Sequence, residues 1–209
     1  SSAAATVALG AIALQGVRRA DPRLGEVVAV IGLGLIGMIT VGLLKAAGAR
    51  VIAATSSDEK CAFCKTLGAD ATINYSTQNV RDVLQELTAG KGPDVVYDPV
   101  GGDLAEPVFR SIAWRGRYLV IGFAQGGIPA LPWNLALLKG ASIVGVFWGN
   151  FVRREPEASA RGIAHLAQWY AEGKIKPAID QRLPMQQLPA AYARMATRQV
   201  QGKVLMVND

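Results

Sequence analysis

The sequence predicts an α/β domain built on a doubly wound, parallel, six-stranded sheet and followed by a C-terminal helix-strand tail. Three observations predict it. Short β-rich runs alternate with helical patterns along the chain, as a parallel sheet covered on both faces requires. A glycine-rich turn, Gly32-Leu33-Gly34-Leu35-Ile36-Gly37, joins the first such run to the first helical pattern. The composition, 209 residues with 51% hydrophobic and 18% charged, suits a domain that buries enough surface to offset its ordering entropy.

Val27 to Ile31 is apolar throughout, as expected of a strand buried on both sides. A helix follows from Leu35 to Ala47 and stops at Gly48, and Arg50 to Ala54 is the second strand. Ser56 with Glu59 forms a capping box that opens a helix running to Gly68. Ala71 to Asn74 closes the first half. The second half repeats the rhythm: a helix near Val80 to Thr88, strand Asp94 to Asp98, a helix from Asp103 to Ala113, strand Arg117 to Ile121, a short helix from Pro132 to Lys139, and strand Ser142 to Phe147. Two βαβαβ halves make a Rossmann sheet. Beyond it lie a helix near Pro156 to Glu172, a Pro-punctuated linker around Lys176 to Pro189, a helix through Tyr192 to Thr197 and an apolar strand, Lys203 to Val207. The sheet is complete without that last strand, so it is expected to pair outside it. The domain boundary is placed between residues 182 and 183, with 1–182 as the nucleotide-binding unit and 183–209 as the tail.

Several function classes recede on composition. Val27 to Leu44 carries no charge and approaches the ~20 residues of a bilayer crossing, but its glycines divide it into strand, turn and helix. Ser1 to Gly16 lacks a basic leader and an initiating Met, so it reads as an internal helix and not as a secretory signal. One His and two Cys leave no zinc site of several such ligands and no disulfide framework, which fits a reducing, cytoplasmic setting. The net charge of +6 favours anionic partners in general. Its basic residues are scattered, without the aromatic-interleaved stripe of a nucleic-acid binder.

The glycine loop carries the chemistry. Gly32 permits the tight turn, Gly34 leaves room for a pyrophosphate against the backbone, and Gly37 lets the helix pack close to the sheet. Amides near Leu35 and Ile36 then bind the phosphates. At the end of the second strand, where an NAD site places an acid, this chain has Ala54-Thr55-Ser56-Ser57. Asp58 falls in the first helical turn, complementing the helix dipole. With Thr55, Ser56, Ser57 and Lys60 available and no carboxylate to repel a 2'-phosphate, NADP (NADPH) is the expected coenzyme. Val100, in the loop leaving the fourth strand, and Gly122 and Phe123, leaving the fifth, lie on the ligand-binding rim. Phe147-Trp148-Gly149, ending the sixth strand, could wall a nicotinamide, or pack a core or a subunit contact. Asp98 before Pro99 reads first as a turn-former and second as a catalytic acid. The Cys61-x-x-Cys64 pair lies inside a helix without a second ligand pair, and His165 has no evident partner. A methyltransferase, which also uses a glycine loop, normally needs an acid where Thr55-Ser56 stands.

The segments Ala54-Thr55-Ser56-Ser57-Asp58-Glu59-Lys60, Leu67-Gly68-Ala69-Asp70, Ile73-Asn74-Tyr75, Asp94-Val95-Val96-Tyr97-Asp98-Pro99-Val100-Gly101-Gly102 and Gly145-Val146-Phe147-Trp148-Gly149 resemble, in order and spacing, the quinone oxidoreductase branch of the medium-chain dehydrogenase/reductase superfamily. The resemblance implies a zinc-free, NADPH-dependent reductase of quinones or other α,β-unsaturated carbonyls. It assigns the 2'-phosphate to Lys60, Tyr75 and Arg198. A homodimer through the sixth-strand edge is the expected assembly, and the resemblance also implies an N-terminal GroES-like barrel supplying most of the substrate pocket, to which Lys203 to Val207 would return. The glycine loop departs from that branch and looks more like the zinc-dependent alcohol and polyol dehydrogenases, as a divergent member or a joining of two related sequences would. Alternatives within the fold are an enoyl-thioester reductase or a zinc-type polyol dehydrogenase. Outside enzymology the alternative is a catalytically silent dinucleotide-binding or dimerisation module.

Overall fold

In the computed structural model, residues 6–197 and 200–208 are described. Helix α1 (Val7–Ala20) leads into β1 (Val27–Ile31), α2 (Leu35–Ala46), β2 (Arg50–Thr55), α3 (Asp58–Thr66) and β3 (Ala71–Asn74). The second half comprises α4 (Val80–Leu87), β4 (Val95–Asp98), α5 (Ala105–Ser111), β5 (Arg117–Val120), α6 (Trp133–Lys139) and β6 (Ser142–Gly145). The sheet order is β3-β2-β1-β4-β5-β6, parallel throughout. Val28 of β1 pairs Val51 of β2 on one side and Val95 of β4 on the other. The strand order reverses at that point, which opens a crevice beyond the carboxyl ends of β1 and β4.

The period of two along the strands divides the core into two layers. Val28, Val30, Val51 and Ala53 face α1, α2 and α3. Ala29, Ile31, Ile52 and Ala54 face α4, α5 and α6. Helix α1 crosses the sheet closely because Gly16 lies over Tyr97, where an added Cβ would come within 2.3 Å of the ring. His165, on α8 (Pro156–Ala171), meets Arg18 of α1 at 3.2 Å and stacks on Trp169.

Three readings of the sequence need correction. The helix after β2 opens one residue later than the Ser56 capping box implies. Thr55 Oγ1 donates to the Ser57 carbonyl and accepts its N–H, holding Ser57 extended, and Ser57 Oγ then caps the helix by accepting Lys60 N at 3.3 Å. The sixth strand ends at Gly145 and not at Phe147, because Phe147 turns out of the ladder and Trp148 begins α7 (Trp148–Arg154). The last strand, β8 (Lys203–Val207), pairs outside the six-stranded sheet as expected, and its partner, β7 (Ile179–Pro184), lies across α9 (Leu188–Ala196) in the segment read as a linker. The prolines read as a linker bracket β7. Pro184 closes the strand, Pro189 lies in the first turn of α9, and Pro177 precedes β7. The boundary expected after residue 182 therefore falls inside β7.

Among the described residues no helix is long and apolar enough to cross a membrane.

Candidate coenzyme crevice

At the reversal point β1 ends in a turn that only glycine can make. Gly32 has φ +74°, and a Cβ there would lie 2.2 Å from Val100 Cγ2, so the turn and the loop leaving β4 are in direct contact. Gly37 packs on the same turn, since its Cβ would fall 2.2 Å from the Gly32 carbonyl oxygen. Gly34 differs. It is exposed, its backbone is extended, and among the described residues a Cβ would meet nothing within 4 Å beyond its own chain neighbours. No described neighbour calls for a glycine there, which leaves the backbone open to a group laid against it from outside.

Helix α2 starts at this point without a capping side chain, while α3 and α4 are capped by Ser57 and Asn79. The first amides of α2, at Leu35, Ile36 and Gly37, precede the first ladder bond, Met38 N to Gly34 O at 3.1 Å. They form the positive end of the helix dipole and suit an anion.

A crevice of about 480 Å³ runs past these amides. It brings together Gly32, Gly34, Leu35, Ile36, Gly37, Ser56, Lys60, Tyr75 and Val100, all expected from the sequence. Ser56 is held by Ser76 Oγ, which donates to its carbonyl at 2.9 Å, and Lys60 Nζ reaches Ser56 Oγ at 3.5 Å. Among the described residues lining the crevice none is Asp or Glu, and two, Lys60 and Lys203, are cationic. Asp58 is engaged elsewhere, accepting Asn74 Nδ2 at 2.8 Å, and Glu59 accepts Gln201 Nε2.

Other expected residues stand apart. Thr55 is fully buried and Ser57 is a helix cap, so both shape the strand-to-helix turn without lining the crevice. Gly122 lies beside the Pro99 carbonyl but outside the crevice lining, and Phe123 borders a separate, apolar cavity of about 390 Å³. Phe147 is 72% exposed. Trp148 packs on the core with its indole Nε1 buried and lacking an acceptor among the described residues. Gly149 lies in α7 behind it, so this trio does not reach the crevice. Arg198 lies outside the described residues.

Sequence reasoning missed Gln125, Met195, Gly202, Lys203 and Val204, which also line the crevice. Apart from Gln125 they belong to the tail, which folds back along the crevice and contacts α3 through the Gln201–Glu59 bond. The GKV run opening the last strand was the available signal, but it acquires meaning only once β7 and β8 are paired.

Asp98 serves the backbone. Its Oδ1 accepts the amides of Val100 and Gly101 at 2.8 and 2.9 Å, and its Oδ2 accepts the Tyr118 phenol. Burial, reinforced by that carboxylate, holds the Tyr118 phenol far above the usual range. Cys61 and Cys64 are free and buried in α3, and burial pushes the Cys64 thiol up to about 12, which suppresses the thiolate. Among the described residues no group of three or more His, Cys, Asp or Glu could hold a metal ion, so no zinc chemistry is derived from them.

Comparison with known proteins agrees with this geometry. The family model described as zinc-binding dehydrogenase matches residues 36–164. Quinone oxidoreductase-like protein 2 of Bos taurus is 35% identical over 98% of this chain, which spans 59% of that relative's length. Among solved structures, a mycobacterial protein complexed with NADPH superimposes with a TM-score of 0.85 at 25% identity, over 95% of this chain and 63% of the other. An NAD-dependent alcohol dehydrogenase superimposes with a TM-score of 0.82 at 30% identity, over 96% and 57%. The chain thus belongs to the zinc-binding dehydrogenase family, the cofactor-binding unit of the medium-chain dehydrogenase/reductase oxidoreductases.

Proposed function

We propose that the chain binds NADPH in this crevice and presents the nicotinamide for hydride transfer to a quinone or another α,β-unsaturated carbonyl. The observation that carries the reading is the crevice itself. The glycine that no described neighbour requires precedes uncapped helix amides. The adenosine end, at Ser56, Lys60 and Tyr75, has hydroxyls and an ammonium group with no carboxylate among the described residues lining it. Such an end accepts a 2'-phosphate, and a carboxylate there would repel it. Gly34 and the amides of Leu35 and Ile36 would hold the diphosphate, with Lys203 as an added counter-charge. When bound, the coenzyme supplies the hydride, and the protein orients it.

The relatives' names, quinone oxidoreductase-like protein and 2-haloacrylate reductase, support an electron-poor alkene or quinone as acceptor. We assign the substrate wall and any proton donor to a GroES-like barrel acting with this chain, as the family resemblance implies. The two buried free thiols fit a cytoplasmic setting. The unpaired edge of β6 is assigned to contact with a second copy. Titration of the purified chain with NADPH and NADH, followed by nicotinamide fluorescence, tests the reading. NADPH is expected to bind at least about tenfold more tightly, the scale of one charge-assisted contact, and an NADH preference would overturn the 2'-phosphate assignment.

A further inference from the structure

We infer that Asp98 and Tyr118 are positioning residues for the coenzyme, holding in register the two loops that form the β4/β5 side of the crevice. The inference rests on the coenzyme reading above and adds residues that need not touch the ligand. Asp98 is 3% exposed and Tyr118 is 2% exposed, and their bond joins the end of β4 to β5. A carboxylate so buried is costly unless both its oxygens are hydrogen-bonded. Here one oxygen takes two amides of the turn and the other takes the phenol. That turn in turn holds the next loop. Pro99 O accepts Ala124 N at 3.1 Å and Val100 O accepts Gln125 N at 3.0 Å. Pro99, Val100, Ala124 and Gln125 all line the crevice, so the carboxylate that fixes the first loop also steadies the second. The tolerance is small, because Val100 Cγ2 already occupies the place of a Gly32 side chain. A shift of the turn therefore moves Val100 against the glycine loop that receives the diphosphate.

The test uses the full chain with Asp98→Ala, Asp98→Asn and Tyr118→Phe, reading amide hydrogen exchange at Val100 and Gly101 and the Kd for NADPH. In Asp98→Asn the amide oxygen still accepts both N–H groups and the Tyr118 hydroxyl reverses to accept from Nδ2. Protection is therefore expected to persist, with Kd within about threefold of wild type. Asp98→Ala is expected to lose protection at both amides and to weaken NADPH about tenfold or more, the scale of hydrogen bonds to a charged group. Tyr118→Phe keeps the carboxylate and is expected to give an intermediate loss. Its effect on Kd should be non-additive with Val100→Ala, since both act through one side chain. Should Asp98→Ala not fold, Tyr118→Phe and its cycle with Val100→Ala decide the matter alone. The inference is overturned if Asp98→Ala binds within twofold of wild type, if Asp98→Asn is as weak as Asp98→Ala, or if the Tyr118 and Val100 effects simply add. A wild-type chain that fails to bind NADPH, while exchange at Val100 and Gly101 still responds to Asp98→Ala, overturns the coenzyme reading and the inference resting on it. That outcome is distinct from tight binding with unresponsive amides, which overturns the positioning alone.

Discussion

Gly34, at the cap of α2, and Gly37, in its first turn, are three residues apart, and the space around them separates structural need from ligand need. A methyl on Gly37 collides with the Gly32 carbonyl oxygen at 2.2 Å, so Gly37→Ala should lower stability by about 1–3 kcal/mol, the cost of overpacking. A methyl on Gly34 meets nothing within 4 Å among the described residues beyond its chain neighbours and the backbone there is extended, so Gly34→Ala should leave Tm unchanged and weaken NADPH about tenfold, or about 1.4 kcal/mol. Thermal unfolding beside fluorescence titration reads both, and a Gly34→Ala chain binding as tightly as wild type would remove the diphosphate from this loop. Lys60 makes a complementary case. Lys60→Ala should weaken NADPH about tenfold to a hundredfold and leave NADH within about threefold, because the two ligands differ only by the phosphate it faces. The glycine spacing and the strand-end Ser56 were legible in the sequence because their roles are local. Lys203 was not, because its place in the crevice depends on a tail strand finding a partner well away in sequence.

At the scale of elements, one side chain ties the far end of the sheet. Arg117, at the start of β5, donates from Nε to the Ala20 carbonyl at the end of α1 and makes a two-bonded pair with Glu26, just before β1. The two are 20% and 16% exposed, between a surface pair and a buried one, so Arg117→Met should cost about 2 kcal/mol and lower Tm by about 4–8 °C. Burial raises the Glu26 carboxyl, but the Arg117 bonds and charge and the Arg23 amide outweigh it, leaving the group below its ordinary 4.5. A depressed folded value means that the stabilisation is complete above pH 4.5 and is lost as pH falls through the folded value. The Tm gap between wild type and Arg117→Met should therefore be full at pH 6 and shrink below pH 4.5, and a gap that widened in acid would contradict the pairing. The elements themselves were legible where period and punctuation agreed, as in β1 to β3 and α2. They were illegible where punctuation misled. The prolines around β7 read as linker because their edge positions are invisible without the partner strand, and Trp148 to Arg154 read as strand end and loop because Phe147 and Trp148 favour a sheet as strongly as a helix.

For the whole molecule, the question is what covers the free side of β6. This strand pairs with β5 alone among the described strands, and Ser142, Ile143 and Gly145 are exposed. Ile143 is 44% exposed, and beside it α6 presents Trp133 at 87%, Leu137 at 80% and Leu138 at 68%. An unpaired, apolar edge of this kind normally carries a charge, a proline or a cover, and among the described residues β6 has none of these. A second copy related by a two-fold axis would meet the need. Antiparallel pairing of β6 with its own copy would join the two sheets, satisfy both rows of amides and carbonyls, and set the same apolar residues against each other, as an isologous contact requires. Light scattering after gel filtration should therefore give about twice 22.0 kDa at micromolar concentration. Ile143→Lys places a charge in the centre of the seam and should yield the single-chain mass. Ile143 does not line the coenzyme crevice, so the variant should retain NADPH affinity within about twofold. A wild-type chain that runs as a single copy at that concentration would sink the assignment, and loss of NADPH binding on dissociation would mean that the seam and the crevice are coupled.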